Sequence, residues 1–344
     1  MSEIQKAPPA KYKVLERLRS EAGVVEVFKA MQSGLDRPVE IRLLDAEKLG
    51  DKSEMLRFER EFRTLATLDH PLVYKVLDWG LLGEKVFYVT EWRDMRSLEQ
   101  LLSGSTVFDP KQLFSIAGQL GDALLYLHSK GVIHRSLGLR SVLFDVERDR
   151  CAIAEFPMVK DSRLADLTAR GVSQLLPELA TPEFLQRKPA SAPTDVFLLG
   201  ALLYRLWMGR EPFTQEEYLK LPKVDSASFT ELIAPLSPMN ASGEEMPEAL
   251  GRLIARCLAF EAEARPPGAR SFLDDLADAA AAARADAQRR KRLSRRAASA
   301  SARVAPESLP APRTLERAYF RPAQLALILA GVGVLVALAW LLLR

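Results

Sequence analysis

The chain has 344 residues, 48% apolar, 27% charged and 8% aromatic, with a formal net charge of +3. Ordinary apolar content and a small net charge exclude disorder throughout. Two cysteines, Cys151 and Cys257, exclude a disulfide scaffold and, with only His70, His128 and His134 beside them, argue against a His/Cys zinc site.

Residues 1–11 read as a polar tail with no signal peptide. In residues 12–45, KYKVLERL, VVEVFKA and PVEIRLLD alternate apolar and polar positions, which predicts strands. Residues 53–68 place Met55, Leu56, Phe58, Phe62, Leu65 and Leu68 at helical spacing, with Ser53 as the expected N-cap and His70-Pro71 as the stop. LVYKVLDWG and KVFYVTEW predict two further strands. Helical spacing then dominates, at 110–129, 193–208, 248–259 and 268–283. Residues 221–247 read as a Pro- and Ser-rich loop, and 297–313 as a flexible linker. A small strand-rich lobe thus precedes a larger helical one, without internal repeats. Cys151 and Cys257 lie in apolar stretches and read as core thiols.

Residues 323–343, AQLALILAGVGVLVALAWLLL, carry no charge. As a helix at 1.5 Å per residue they span about 31 Å, which matches a bilayer core. Tyr319, Phe320 and Trp340 stand near its edges, where amphipathic rings prefer to lie. Eleven Lys/Arg against three acids between Arg284 and Arg321 give that segment +8, leaving −6 for residues 1–283. The positive-inside rule then keeps the preceding residues cytoplasmic, in the manner of a single-pass C-terminal (tail) anchor. The cluster Arg289–Arg296 is expected to meet anionic lipid rather than nucleic acid.

Seven landmarks in chain order resemble a protein kinase of the bacterial Ser/Thr type. RFEREFRTLATLDHPLV (57–73) resembles the family's αC helix and His-Pro step, with Glu61 at the αC glutamate. YVTEW (88–92) resembles the hinge, with Thr90 at the gatekeeper position and Glu91 after it. ALLYLHSKGVIHRSL (123–137) resembles the run into the catalytic loop. TPE (181–183), the helix with Asp195 (195–213) and RCLAFEAEARP (256–266) follow, and Arg265 is expected to pair with Glu183. The resemblance covers about residues 12–280. It implies an α+β, bilobal protein-kinase-like fold with an N-lobe over 12–91 and a C-lobe over 92–280. A basic linker (281–322) and one transmembrane helix (323–343) complete the expected organisation.

The same alignment predicts degenerate chemistry. Glycine-rich-loop positions carry Ser20, Ala22 and Val25. Val-Ala-Ile-Lys becomes Val39-Glu40-Ile41-Arg42: Glu40 stands in the roof of the nucleotide site, and Arg42 is expected to reach Glu61. Ser136 replaces the catalytic-loop Asp, Gly138 its Lys and Ser141 its metal-binding Asn. Asp-Phe-Gly becomes Glu155-Phe156-Pro157. His134 is expected in the buried spine with Leu65, Phe156 and Asp195, and His70 and His128 read as satisfied core residues. Arg135 keeps a position that can bind an activation-segment phosphate, with Ser162, Thr168 and Ser173 as candidate acceptors.

From these substitutions the sequence predicts no enzyme: a membrane-anchored pseudokinase, a cytosolic scaffold or regulator with protein partners, among them an active kinase or its substrate. It predicts no cofactor, no metal and no nucleic acid. The alternative is a slow atypical Ser/Thr protein kinase using ATP and Mg²⁺.

Overall fold

The computed structural model describes residues 11–21, 25–45, 52–154, 181–213, 217, 226–233 and 235–303. The chain divides into two units, Met1–Ala287 and Gln288–Arg344.

In the first unit, alternation at 12–45 produces β1 (Tyr12–Glu21), β2 (Val25–Gln32) and β3 (Arg37–Asp45). After α1 (Lys52–Ala66), β4 (Val76–Leu82) and β5 (Lys85–Glu91) complete an antiparallel sheet of order β1-β2-β3-β5-β4. Successive side chains of a strand point to opposite faces. Val39, Ile41 and Leu43 therefore join a small outer core with Tyr12, Ala30, Phe87 and Val89. Glu40, Arg42 and Leu44 take the other face, and Leu44 joins Val25, Val27, Phe62 and Tyr88 in the main core. The register sets Glu40 opposite Thr90 and Arg42 opposite Tyr88. Phe62 of α1 packs on Tyr88 with ring centroids 4.9 Å apart. Because α1 begins at Lys52, Ser53 lies inside its first turn and is not the N-cap.

The second lobe starts with β6 (Arg96–Ser97) and α2 (Leu98–Ser103), followed by α3 (Pro110–Ser129). Asp109 caps α3: its side chain accepts from Gln112 N at 2.7 Å, and the Gln112 side chain accepts from Asp109 N at 3.1 Å. A Pro at the first helical position strengthens that start. β7 (Val142–Asp145) and β8 (Arg150–Ile153) form a second sheet with β6, in the order β6-β7-β8. The helices α4 (Pro182–Leu185), α5 (Ala192–Met208), α6 (Ser226–Leu232) and α7 (Glu248–Cys257) follow. α6 corrects the expectation of a loop throughout 221–247: SASFTEL places Phe229 in the core, between Phe213 and Phe260. Gly200 lets α5 and α7 approach closely, since a Cβ there would stand 2.5 Å from Cys257 Cβ. Both cysteines are buried, and burial pushes the Cys257 thiol up to about 12.

The last helix, α8, runs Ala269–Arg303, twenty residues past the predicted end at 283. Ala and Arg dominate its extension, and these are strong helix formers. The expected linkers over 281–322 and 297–313 are therefore helical as far as Arg303. In the second unit, side chains 288–296 are exposed. No described helix is long and apolar enough to cross a membrane; residues 323–343 lie outside the described residues.

Candidate active site

The two sheets carry the residues that the sequence singles out: Glu40, Arg42 and Thr90 lie on β3 and β5 of the first sheet, and residues 134–141 run from α3 into β7 of the second.

Glu40 and Arg42 are two residues apart on one strand and share a face. Arg42 Nε and Nη2 each stand 2.8 Å from Glu40 Oε1, with side chains 4% and 12% exposed. Glu61 meets Arg135, at 3.6 Å, where both side chains are partly exposed. Arg42 thus has a pair within β3, and Glu61 has one between α1 and the catalytic loop. Two alternate residues of a strand are always close, whereas a strand and a helix meet only if packing brings them together. Val25 is buried in the main core; Ser20 lies on β1, and Ala22 lies outside the described residues. Thr90 is 1% exposed, and its hydroxyl has no hydrogen-bond partner among the described residues.

The hinge is tied down by its own side chains. Glu91 Oε1 accepts from Lys75 N at 3.2 Å and from Arg93 Nη2 at 2.6 Å. Arg93 Nη1 donates to Pro71 O at 2.9 Å, and its guanidinium lies 4.8 Å from the centre of the Tyr74 ring. Neither Tyr74 nor Arg93 is among the site residues that the sequence singles out. Tyr74 sits in the apolar run LVYKVL, where it reads as one more strand residue; its bulk among valines is the only local signal.

The catalytic loop hangs on Asp195, which is fully buried on α5. Its Oδ2 accepts from His134 N at 2.9 Å and from His128 Nε2 at 2.9 Å, and its Oδ1 accepts from Arg135 N at 2.8 Å. This grip holds Arg135 at φ +69°, a left-handed conformation costly for a side chain with Cβ. His134 is itself fully buried, as expected of a spine residue, and Leu65 also lies in the core. His70 is satisfied too: its Nδ1 accepts from Leu72 N at 3.3 Å, its Nε2 stands 3.4 Å from Asp122, and its ring stacks on Tyr126.

Ser136 takes the place of the expected base. Ser141 Oγ accepts from Gly138 N at 2.8 Å and lies 3.1 and 3.2 Å from Gly138 O and Ser136 O. Its hydroxyl staples the loop rather than facing a ligand. Glu155, Pro157, Ser162, Thr168 and Ser173 lie outside the described residues. Among the described residues no group of three His, Cys, Asp or Glu side chains could hold a metal ion. Magnesium needs only one or two carboxylates beside the phosphates it bridges, and the carboxylate at the matching position, Glu155, is among the residues outside the description.

Behind the site, Arg265 Nη1 donates to Glu183 Oε1 at 2.7 Å, the pair expected from the sequence.

A family profile described as "Protein kinase domain" matches residues 21–275. Serine/threonine-protein kinase pkn3 of Myxococcus xanthus is 29% identical over 306 residues, covering 86% of this chain and 54% of the relative. Serine/threonine-protein kinase pkn2 of the same organism is 30% identical over 280 residues, 78% of this chain and 32% of the relative. Serine/threonine-protein kinase PknL of Mycobacterium tuberculosis is 28% identical over 246 residues, 72% and 60%. The chain therefore spans about a third to three fifths of the length of these relatives. The solved kinase domain of Mycobacterium tuberculosis PknI superposes with a TM-score of 0.59 at 20% identity, over 80% of this chain and 98% of that one, a likeness in fold. The expectation that this chain is no enzyme is corrected by these relatives, which are named as Ser/Thr protein kinases. The physical reason is that phosphoryl transfer depends on positioning and charge far more than on any one proton acceptor. Counting lost side chains therefore overstates lost chemistry.

Proposed function

The chain belongs to the protein kinase domain family, and from that premise we propose that it is a slow, atypical Ser/Thr protein kinase using ATP. The observation that carries this reading is the grip of Asp195 on the His134 and Arg135 amides. It keeps the catalytic loop in a strained backbone conformation, and such strain is retained where a site needs its geometry. In the reaction, an acceptor Ser or Thr oxygen bonds to the γ-phosphorus of ATP, the bond to the β-phosphate bridging oxygen breaks, and the hydroxyl proton leaves to water. Arg42, paired with Glu40 on the inner face of β3, is the cation that this reading assigns to the phosphates. Without a carboxylate at Ser136 the proton has no positioned acceptor there. General-base catalysis contributes about 10²–10⁴-fold, so turnover is expected to be lower than that of a typical kinase by about this factor.

The test is transfer of labelled γ-phosphate from ATP to a Ser/Thr-rich acceptor protein by the full chain. Slow incorporation that disappears with Arg42→Met is the expected result. Incorporation no higher than that of Arg42→Met would overturn the reading.

The proposal includes a membrane location. Residues 323–343 supply an uncharged stretch of spanning length, and the exposed cations of Arg289–Arg296 on α8 suit an anionic surface. Deleting 323–344 should move the protein from the membrane to the soluble fraction at moderate salt. Neutralising the six cations of Arg289–Arg296 should leave it in the membrane, because each contributes only about 1 kcal/mol against a whole helix. A truncated chain that still sediments with membranes refutes the anchor.

A further inference from the structure

Tyr74 is clamped where the two lobes meet. Its N–H donates to Ile153 O at 2.8 Å, Ile153 N–H donates to Leu72 O at 2.8 Å, and Val73 bridges Ile153 in parallel. These bonds tie residues 72–74 to β8. The Tyr74 ring is thereby set among Met95 at the exit of the hinge and Leu143, Ala152 and Ala154 of the lower sheet. The ring thus packs on the lower sheet, beside the exit of the hinge.

Three features mark this as more than core packing. First, the Arg93 guanidinium caps the ring at 4.8 Å and is itself held by Pro71 O and Glu91, so the ring sits against a prebuilt flat surface. Second, Tyr74 is 3% exposed, yet its hydroxyl has no partner within bonding distance among the described residues. A buried hydroxyl left unpaired is costly, and a phenylalanine would fill the same space without that cost. Third, the ring stands beside the segment just past the hinge, where Arg93 faces it and Met95 packs against it. Burial pushes the phenol above its ordinary pKa, so it remains a protonated donor and acceptor. A flat ring with a polar edge, set beside the hinge exit, has the shape and polarity of a nucleobase.

We propose that Tyr74 is the specificity-determining gate of the nucleotide site: its ring holds the place of the base at the hinge and must swing out before a nucleotide stacks there. This rests on the kinase reading above and adds to it. Apparent affinity is reduced by the fraction of molecules with the site open, so a ring that is in place in about 90% or more of them costs about tenfold or more.

The experiment is calorimetric titration of the full chain with ADP, with and without Mg²⁺, for wild type, Tyr74→Val and Tyr74→Phe. Tyr74→Val should bind ADP at least about tenfold more tightly than wild type. Tyr74→Phe keeps the ring and should stay at the wild-type value. Equal binding by wild type and Tyr74→Val, whether tight or absent, overturns the gate; so does Tyr74→Phe tightening to the level of Tyr74→Val. Should Tyr74→Val fail to fold, Tyr74→Leu replaces it with more apolar bulk against Leu143, and the same outcomes decide. Failure of the kinase reading looks different: variants that bind ADP more tightly would still transfer no phosphate from ATP.

Discussion

Arg265→Ala should destabilise the protein by about 3–5 kcal/mol, the usual cost of removing one partner of a buried ion pair. Arg265 is 1% exposed, and its guanidinium serves four acceptors. Nη1 donates to Glu183 Oε1 at 2.7 Å and to Pro193 O at 3.1 Å, Nε to Ala259 O at 2.7 Å, and Nη2 to Phe260 O at 2.7 Å. It also faces the Phe197 ring at 4.9 Å. Burial lowers its pKa from the ordinary value, and the Glu183 charge opposes that shift. The alanine variant strands the Glu183 carboxylate and three carbonyls in the core. It also unties the connection into α4 from the far end of the lobe. Urea unfolding of the two proteins is the measurement. The double variant Arg265→Met with Glu183→Leu should recover most of the loss, because it leaves no unpaired charge. An Arg265→Ala protein with a wild-type urea midpoint would refute the ion pair's role.

Asp195→Ala should be nearly as severe and should also abolish phosphotransfer. Three donors lose their acceptor together: His134 N, Arg135 N and His128 Nε2. Each buried donor left unpaired costs about 1–3 kcal/mol. Arg135 would also relax from φ +69°, since strain of about 1–3 kcal/mol persists only while its surroundings impose it. That relaxation would move Ser136 and loosen the Arg135–Glu61 contact, so geometry is lost even in molecules that stay folded. Asp195→Asn should fall between the two proteins: its oxygen still accepts, while its NH₂ faces a donor. Thermal melting and labelled-phosphate transfer, measured on the same preparations, check both parts. An Asp195→Ala protein that melts with wild type and keeps its transfer rate would show that the loop is held by something else.

Local order was legible in the sequence wherever neighbours along the chain create it. α3 begins at Pro110 and ends at Ser129, as the periodicity predicts, because Asp109, Pro110 and Gln112 build its start within four residues. The strands of the first lobe follow from alternation in the same way. α8 is legible too: Ala and Arg after residue 283 favour helix, although their charge resembles that of a linker. The Glu183–Arg265 pair, 82 residues apart, came through the family resemblance, which carries tertiary information that no local pattern holds.

What only the tertiary structure decided is which charges and rings meet. Arg42 stands beside Glu40 by strand geometry alone, whereas the meeting of Glu61 with Arg135 depends on where α1 packs against the catalytic loop. Tyr74 is an ordinary member of LVYKVL until Val73 bridges Ile153 and the ring packs on Leu143, Ala152 and Ala154. Backbone periodicity is set by steric and hydrogen-bonding preferences over a few residues, so composition and spacing record it. The strength of a charge pair or a ring contact depends on separation and burial, and those exist only once the two sheets and the helices between them are packed.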